Sequence, residues 1–562
     1  MRQLVAVWII SLLFCGTAQA QDLAERYITE WKSFYPSKAQ KAGMHSAIGD
    51  FEDFSAESIQ QWLEYNKQTL NALSQDDADI DRIDARLLRV QAQSEIDLYE
   101  KLAEHQTSLT FYSQPMAKAI ITVQQAEYLL GHEKSALYCE RMTSMTHLAE
   151  AAMANLVDVP KSDLQSGIKD LSETQNLITD STDNLASCIQ QTDTALKSIQ
   201  ELVSHTSDRL KSAKDSETVL GAEEYNRRLR LYTDSNLTSE KLQAMAMAEI
   251  TAVKKLMATV SKDYLLATYP EQSLPETELQ TINKALADME KDVPINGRDY
   301  LQFWQQLAKD SVDFIRANNI ATLPEFDTLR IQNAPESAGP AARIGWVASA
   351  PPFHPNPVTT LNLPSIPETF PKQDQIDFWA SFNKPFNRMI VIHELYPGHY
   401  MQLKISRETP HPIRLLFPYG TYIEGWATFT EKVLLDAGWQ KEDRLTLLAH
   451  LRKRLENANR AYTSVQVHCN GWDKAQVMKF STETSLVAPQ FAKSLWGRII
   501  NSPLQLTSYF LGGAEFTELL AHEKLRLGNK FDLQFFMDTV MKAGPIPIDE
   551  FYALFQRAVN SQ

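Results

Sequence analysis

The segment VIHELYPGHYMQ, at residues 391–402, contains the residue types of a zinc hydrolase in an unusual spacing. In the common arrangement, two histidines four residues apart on a helix bind one metal, and a glutamate after the first histidine faces the metal-bound water. Here Glu394 follows His393, but the next histidine is His399. A straight helix would place His399 about 240° around from His393, so both could not bind one ion.

The residues between the two histidines offer a way to bring them together. Pro397 has no amide hydrogen for the carbonyl of residue 393, and Gly398 can adopt conformations that other residues avoid. If these two residues bulge out of the helix, His399 falls where the second histidine normally sits. The hypothesis is a metal site with the pattern H-E-x-x-(PG)-H, in which both histidines are ligands.

A second segment, TYIEGWATFTEKVLLDAG at residues 421–438, could supply a third ligand. Glu424 and Glu431 lie on nearly the same face of a predicted, mostly apolar helix, where acids are costly unless they are paired or metal-bound. Seven residues rise about 10.5 Å along a helix, so one ion is not expected to bind both. One glutamate is therefore expected to be a ligand and the other a supporting residue. Two histidines, one glutamate and an open water position are typical of catalytic zinc, although manganese or cobalt accept the same ligands.

The elements that must position these residues are predicted to be mostly helical. Residues 21–270 contain few prolines, and stretches such as IDRIDARLLRVQAQSEIDLYEKLAE have apolar residues at spacings of three and four. This pattern is typical of long amphipathic helices. We predict an N-terminal helical region at 21–270 and a catalytic region with the metal site at 271–562, which could also form one continuous fold.

Composition changes at residues 335–371, where nine of the 25 prolines fall and a long helix is excluded. The segment contains two short β-like pieces, RIGWVAS and VTTLNL. We expect this ordered, proline-rich connection to form a wall of the substrate site. VTTLNL is expected to be an edge strand along the cleft, where it would pair with the substrate backbone. Helical periodicity returns at 386–560.

Overall composition is that of an acidic globular protein. The 562 residues are 44% hydrophobic and 22% charged, which is an ordinary balance for a chain with a large core. The formal net charge of −15 argues against nucleic acid or an anionic membrane as a partner. After the N-terminus, no stretch is long and apolar enough to predict a transmembrane helix.

The first 20 residues have the pattern of a cleavable signal peptide. Arg2 gives a short positive region, LVAVWIISLLF an apolar run, and AQA a small-x-small cleavage site that ends at Ala20. We therefore predict a mature chain that begins at Gln21 and is periplasmic or secreted. The alternative is a lipoprotein attached through Cys15, which the bulky Phe14 before it disfavours.

The mature chain would retain Cys139, Cys188 and Cys469. An exported protein meets an oxidising environment, so Cys139 and Cys188 could form a disulfide. Three buried thiols are the alternative that the sequence leaves open. Because there is no CxxC motif, cysteine-based zinc or redox chemistry is not expected.

The motifs together resemble those of the DUF885 family, whose members are predicted zinc peptidases. HELYPGHYMQ and EGWATFTE are similar to the HExxPGH and EGWA signatures of that family. The resemblance is close over about 225–560 and extends to the N-terminal half only in general character. Five more segments match in the same order: TDSNLTSEKLQAMAMAEI (233–250), ASAPPF (348–353), HCNGWDKAQV (468–477), SPLQLTSYFLGG (502–513) and GNKFDLQFFMDTVMKAGPIPIDEF (528–551).

The resemblance implies a large, mostly α multi-helix fold with a deep cleft and a small β edge piece, similar to the helical carboxypeptidases and dipeptidyl carboxypeptidases that use zinc. It implies His393, His399 and Glu424 as Zn²⁺ ligands, with Glu394 as general base and Glu431 left as a supporting second-shell residue. One departure is that the family's Ser-Tyr-Lys is Ser-Tyr-Phe here, ending at Phe510. If the missing lysine anchors substrate in relatives, specificity differs in this chain.

Three further side chains are candidates for contact with the substrate. Tyr509 and His468 lie in matched segments and can donate a hydrogen bond to a tetrahedral oxyanion, so we treat both as candidate catalytic residues. The alternative for each is a buried residue with a satisfied hydrogen bond. Arg460 could bind a substrate's terminal carboxylate with two hydrogen bonds, or it could pair with an acid of its own helix.

The expected function is peptide-bond hydrolysis by an exported zinc metallopeptidase, with Glu394 transferring a proton from water to the leaving amine. An exopeptidase of carboxypeptidase or dipeptidase type, acting on short peptides, is favoured by analogy with the deep clefts of helical zinc enzymes. A zinc amidohydrolase acting on a non-peptide or peptidoglycan-derived amide would use the same chemistry. A catalytically inactive binding protein is the remaining alternative, although all four metal-site residues are present.

Overall fold

The fold is mostly α-helical with one small sheet, as the sequence and the family resemblance predicted. The predicted signal peptide and Cys15 lie outside the residues described by the computed structural model. Within those residues, no helix combines the length and the apolar character needed to cross a bilayer. The structure describes residues 22–44, 51–75, 79–125, 131–181, 185–214, 219–294, 296–324, 328–355 and 357–560.

The helices before the sheet make up the N-terminal part of the molecule, and many begin at a polar side chain that caps the first turn. Ser55, for example, accepts a hydrogen bond from the amide of Ser58 at 3.3 Å. A short π-helix at Asp97–Lys101 extends one of them. The α-helices are Leu23–Phe34, Pro36–Lys41, Ala56–Ala72, Arg82–Ile96, Glu104–Thr107, Thr110–Gln125, Gly131–Asn155, Lys161–Asp180, Ile189–Leu210, Ala222–Thr233, Ser239–Thr268, Glu278–Met289 and Gly297–Ala317.

The helices after the sheet carry the HELYPGHYMQ and EGWATFTE motifs. Their α-helices are Lys372–Ser381, Lys384–Glu394, His399–Ser406, Pro412–Leu416, Tyr422–Asp436, Arg444–Asn470, Lys474–Lys479, Pro489–Asn501, Ser508–Leu527, Leu533–Ala543 and Glu550–Asn560. Shorter turns of 3-10 or π-helix lie at Glu336–Arg343, Phe480–Thr484, Gln505–Thr507 and Gly528–Lys530. The longest of these helices, Arg444–Asn470, begins where the Asp443 side chain accepts from the amide of Leu445 at 3.0 Å.

Apolar faces of these helices meet in separate core clusters. One contains buried residues between Leu23 and Leu202, to which Ile413 and Phe417 of the later part of the chain are added. Another joins the helix Ser239–Thr268 and its neighbours to the helix Arg444–Asn470. Because this second cluster mixes residues from both sides of position 270, the division predicted there stays a prediction.

The two cysteines predicted as a possible pair form a disulfide. Cys139, in the helix Gly131–Asn155, is bonded to Cys188, which immediately precedes the helix Ile189–Leu210. The structure thus selects the disulfide over three separate thiols. Cys469 is a free cysteine.

The sheet has three strands, β1 (Leu329–Asn333), β2 (Trp346–Ala348) and β3 (Thr359–Leu363), in the order β1-β3-β2. β1 runs parallel to β3 and β2 antiparallel to it, and residue 361 of β3 is paired with residues 331 and 347. VTTLNL contains β3, so the expectation that it forms an edge strand was wrong. Both edges of β3 are already paired, so the edge strands are β1 and β2, and β2 comes from RIGWVAS.

Candidate active site

The first histidine of the candidate site lies near the end of the helix Lys384–Glu394. Asn387, in the first part of this helix, accepts hydrogen bonds from Tyr300 Oη at 3.0 Å and from Trp304 Nε1 at 2.9 Å. These bonds fix the helix against the helix Gly297–Ala317. The helix ends at Glu394 because Pro397 offers no amide to continue it.

His399 begins a new helix, His399–Ser406, so the chain does not bulge within one continuous helix as hypothesised. The Tyr396–Pro397 peptide bond is cis, and the amide of Gly398 donates to the carbonyl of Ile392 at 3.0 Å. A Cβ atom at position 398 would collide with the carbonyls of residues 392 and 393. The turn thus folds back tightly onto the first helix, and this close approach requires glycine.

Trp426, in the helix Tyr422–Asp436, holds this turn in place. Its indole Nε1 donates to the carbonyl oxygen of Pro397 at 2.9 Å, and the side chain is fully buried. This hydrogen bond connects the EGWA segment to the Pro-Gly turn.

Two glycines bring the helices Tyr422–Asp436 and Ser508–Leu527 into backbone contact. A Cβ atom on Gly425 would collide with the backbone of Gly512, and one on Gly512 would collide with the carbonyl of residue 421. Glu424 is the neighbour of the first glycine, and Tyr509 lies one turn before the second. The close crossing therefore fixes the separation between Glu424 and Tyr509.

His393, His399 and Glu424 converge as the resemblance implies. Glu424 Oε2 lies 3.6 Å from His393 Nε2 and 3.2 Å from His399 Nε2, and one ligand atom from each residue falls within 4.8 Å of the others. Four ligands held tetrahedrally at zinc's usual bond lengths are about 3.3 Å apart. The donor set and its spacing therefore fit a zinc ion. Among the residues that the structure describes, no second cluster of histidine, cysteine or acidic side chains could hold a metal.

Glu431 supports the first histidine from behind. Its Oε1 is 2.8 Å from His393 Nδ1, and its Oε2 is 2.9 Å from Nδ1 of His450, a residue that the sequence analysis missed. A carboxylate on Nδ1 selects the tautomer whose Nε2 is free to bind a metal. Glu431 thus occupies the supporting position predicted for it, and the rise along the helix keeps it out of the ligand set.

The pKa values indicate that this cluster favours a positive charge. Burial alone would lower the pKa of His393, but hydrogen bonds with Glu424 and Glu431 raise it to about 10. Burial would raise the pKa of Glu431, but its bonds with His393 and His450 lower it to about 2. Bonds with the two site histidines likewise hold the pKa of Glu424 well below its usual range against the effect of burial. A metal cation would supply the same compensation as a proton.

A cavity of about 760 Å³ adjoins these residues, and His393, Glu394 and Tyr509 line it. Residues 343–346 and 361–364, from β2, β3 and their flanks, form another part of its lining. The proline-rich segment is thus a wall of the cavity, as predicted. The candidate general base, Glu394, is the one acid of the motif that faces this space.

Tyr509 lies next to both His393 and Arg460. Its ring is parallel to the ring of His393, with centroids 6.3 Å apart, and the Arg460 guanidinium carbon is 4.5 Å from its centroid. Burial raises the pKa of Tyr509 to about 12, so the phenol keeps its proton at neutral pH and can donate it in a hydrogen bond. Arg460 pairs with Glu456 of its own helix, which is one of the two alternatives considered for it, and it also lines the cavity. Its binding of a substrate carboxylate stays a prediction.

His468 does not reach the cavity, so the expectation that it serves as an oxyanion donor was wrong. Its Nε2 is 3.1 Å from the carbonyl oxygen of Ile499, and its ring stacks on Tyr225 at 6.0 Å. Eight residues of helix carry it about 12 Å past Arg460 along the axis. Phe510, which stands in place of the family's lysine, packs against the core cluster around the helix Ser239–Thr268.

The structure adds cavity residues that sequence reasoning missed, notably Lys453, Glu456 and Arg498. A signal for the first of these was present in the helix Arg444–Asn470. Polar residues at positions 450, 453, 457 and 460 recur at spacings of three and four, which places them on one helix face. Arg498 comes from another helix, and no pattern in the sequence connects it to the site.

The fold and site define a mostly helical protein with a candidate metal centre beside a deep cavity. The chain belongs to the family described as "Bacterial protein of unknown function (DUF885)", whose model matches residues 36–553. The comparison with curated proteins finds no match.

Two solved structures have a similar fold. One is described as a "putative lipoprotein of unknown function" from Shewanella oneidensis, with a TM-score of 0.81 and 19% identity over 95% of this chain and 99% of that one. The other is a "putative lipoprotein" from Colwellia psychrerythraea, with a TM-score of 0.72 and 18% identity over 96% of this chain and 99% of that one. At these identities the likeness concerns the fold.

Proposed function

We propose that the protein is an extracytoplasmic, zinc-dependent hydrolase of peptide bonds. The observation that carries the proposal is the convergence of His393, His399 and Glu424, in which Glu424 Oε2 lies 3.6 and 3.2 Å from the two imidazole nitrogens. Glu394 of the same motif faces the adjoining cavity. Two histidines and one carboxylate leave a coordination position open for water, as catalytic rather than structural zinc sites do.

When bound, Zn²⁺ supplies a Lewis acid and lowers the pKa of its coordinated water. Glu394 accepts a proton from the attacking water as the water oxygen bonds to the scissile carbonyl carbon. It delivers the proton to the nitrogen as the C–N bond breaks, which yields a carboxylic acid and an amine. Tyr509, protonated at neutral pH, donates a hydrogen bond to the oxygen on which negative charge develops.

The edge strand β2 is suited to bind the substrate backbone. It lies at the rim of the cavity through Gly345 and Trp346, and its outer edge faces away from β3. An extended peptide could add there as a further strand, held by main-chain hydrogen bonds that do not depend on sequence. The strand that we propose to pair with the substrate backbone is therefore in RIGWVAS, and not in VTTLNL as first expected.

The size of the cavity favours short peptides and an exopeptidase. Small-ligand sites enclose roughly 300–1,000 Å³, and this cavity, at about 760 Å³, falls within that range. A few residues of an extended peptide fill such a volume, whereas a folded protein could present only a mobile chain end. A non-peptide amide of similar size would use the same residues, and substrate tests distinguish the two.

Three observations support a location outside the cytoplasm. The two similar structures are described as putative lipoproteins, the first 20 residues have the pattern of an export signal, and Cys139 is bonded to Cys188. Structural disulfides persist in oxidising compartments. We propose a periplasmic or secreted protein, either cleaved after Ala20 or attached by a lipid at Cys15.

The test compares three purified proteins: wild type, Glu394→Gln and Glu442→Gln, an exposed control away from the cavity. Each is measured for zinc by mass spectrometry and then incubated with a mixed peptide library. We expect about one zinc per chain in all three and a loss of hydrolysis of about 10²–10⁴-fold in Glu394→Gln alone.

Equal activity in the two variants would refute the assigned base. Absence of zinc from every protein after reconstitution would refute the metal site. Stoichiometric zinc without peptide cleavage would refute the peptidase and leave a non-peptide amide as the substrate.

A further inference from the structure

Three cations gather at one end of the cavity, close to Tyr509. Lys453, Arg460 and Arg498 all line it, and Glu456 is the one carboxylate among them. Glu456 pairs with Arg460 and lies 3.5 Å from Lys453. Within the described part of the chain, Arg498 makes no ion pair, and its one hydrogen bond goes to Tyr509 Oη at 3.4 Å.

This arrangement leaves more positive than negative charge in the cluster, in which Lys453, Glu456 and Arg460 are largely buried. Burial lowers the pKa of Lys453, and nearby Arg460 lowers it further, although Glu456 and Glu431 act in the opposite direction. Buried charge that is not fully compensated is costly, so the cluster favours binding of an anion. Arginine is suited to a carboxylate because its planar guanidinium can donate two parallel hydrogen bonds.

The cluster lies at a short distance from the candidate metal. Tyr509 lies next to both, because its ring centroid is 6.3 Å from that of His393 and 4.5 Å from the Arg460 guanidinium carbon. The His393 ring and the Arg460 guanidinium are therefore at most about 11 Å apart. One residue of extended chain spans about 3.3–3.6 Å, so an anion at the cluster would be within about three residues of a bond at the metal.

An aromatic surface lies beside the cations. Phe382, Phe386 and Phe491 line the cavity with ring centroids 5.7 to 6.1 Å apart. Phe386 and Phe491 also border a small gap that Lys453 and Glu456 share, so the aromatic and charged surfaces are contiguous. A ligand with a carboxylate next to a large apolar side chain matches both surfaces.

We propose that Lys453, Arg460 and Arg498 form a carboxylate-binding subsite for the C-terminus of a peptide with a large apolar last residue. The inference rests on the proposed function, and it makes the enzyme a carboxypeptidase that releases a C-terminal fragment of at most about three residues. The side chain of an aspartate or glutamate carries the same chemical group, so the test separates these two sources.

The first measurement is calorimetric binding to zinc-loaded Glu394→Gln, in which hydrolysis does not interfere. Three N-acetylated tripeptides serve as probes: one ending in phenylalanine with a free carboxylate, the same peptide as its C-terminal amide, and an amide ending in aspartate. The free acid should bind about tenfold to a hundredfold more tightly than its amide. Equal binding of acid and amide would overturn the subsite, and tighter binding of the aspartate amide would assign it to an acidic side chain.

The second measurement assigns the preference to the cluster. Arg498→Met should abolish the difference between acid and amide, whereas Arg498→Lys should retain part of it. Arg444→Met, which removes an exposed arginine from the helix carrying Lys453 and Arg460, should leave it unchanged. If Arg498→Met fails to fold, the acid–amide comparison in the parent protein still decides the proposal.

Hydrolysis by the wild-type protein separates the two proposals. Cleavage of both acid and amide at equal rates would retain the peptidase and overturn the subsite. Preferential binding of the free acid with no cleavage of any peptide would retain the subsite and overturn the peptidase.

Discussion

Glu95 in the N-terminal region and Glu431 behind the candidate metal centre are both buried and hydrogen-bonded, but they differ in the residues that they orient. Glu95 accepts hydrogen bonds from Tyr35 Oη at 2.7 Å, Trp62 Nε1 at 2.9 Å and Gln91 Nε2 at 2.8 Å. Glu431 is bonded through both oxygens to two histidines at 2.8 and 2.9 Å. Both carboxylates are fully partnered, as buried acids must be.

The difference lies in the partners and in what those partners face. The donors to Glu95 are neutral groups within a packed aromatic core, in which Phe34 and Trp62 stack at 4.9 Å. Glu431 instead holds His393, whose other ring nitrogen points towards Glu424 beside the cavity. A buried acid is therefore not in itself evidence of a site. It indicates a site when it orients a group that a ligand can reach.

The largest difference between the two regions is expected when a glycine in each is replaced by alanine. Alanine at Gly398 would collide with backbone carbonyls beside His393, whereas alanine at Gly167 would collide with the buried side chain of Leu109 in the N-terminal core. We expect Gly398→Ala to displace His399 and reduce hydrolysis by about 10²-fold or more, with a matching loss of zinc. Gly167→Ala should lower the melting temperature and keep full zinc. Zinc content and thermal unfolding of both variants check this, and full zinc in Gly398→Ala would contradict it.

The two glutamates themselves give the next largest contrast. Glu431→Gln removes a charged partner from His393, so zinc affinity should fall about 10–100-fold. Glu95→Gln should leave zinc affinity as in wild type while it destabilises the aromatic core. Competition with a zinc chelator measures the affinities, and denaturant unfolding measures the stabilities. If both substitutions weakened zinc binding equally, the distinction drawn between the two acids would fail.

The smallest effect on the site is expected from the disulfide. Its removal in a Cys139→Ser/Cys188→Ser variant should lower the free energy of unfolding by about 2–4 kcal/mol, because the unfolded chain is then less constrained. Zinc affinity should not change, since both cysteines lie in the N-terminal part of the molecule, away from the candidate metal site. Cys469→Ser serves as the control, as that thiol is free. A weaker zinc site in the double variant would show that the two regions are coupled.

Much of the site was predictable because its parts are close together in the sequence. Glu394, His393 and His399 occupy one short segment, and the proline and glycine between them predict an interruption of the helix. How the two histidines come together was not predictable. The first helix ends, a second begins at His399, and the turn between them is held by Trp426 from another segment. The role expected for His468 at the cavity was also wrong, because a matched motif does not indicate how far along a helix the cavity extends.

The sequence by itself determined the helical character of the chain, the acids and histidines available for a metal, and the family to which the chain belongs. Only the tertiary structure decided that β3 is central, that His450 stands behind Glu431, and that Arg498 joins Lys453 and Arg460. The physical reason is the separation along the sequence of the residues that interact. Helix formation and turn chemistry depend on neighbouring residues, whereas these contacts join segments far apart in the chain and form only when the helices pack.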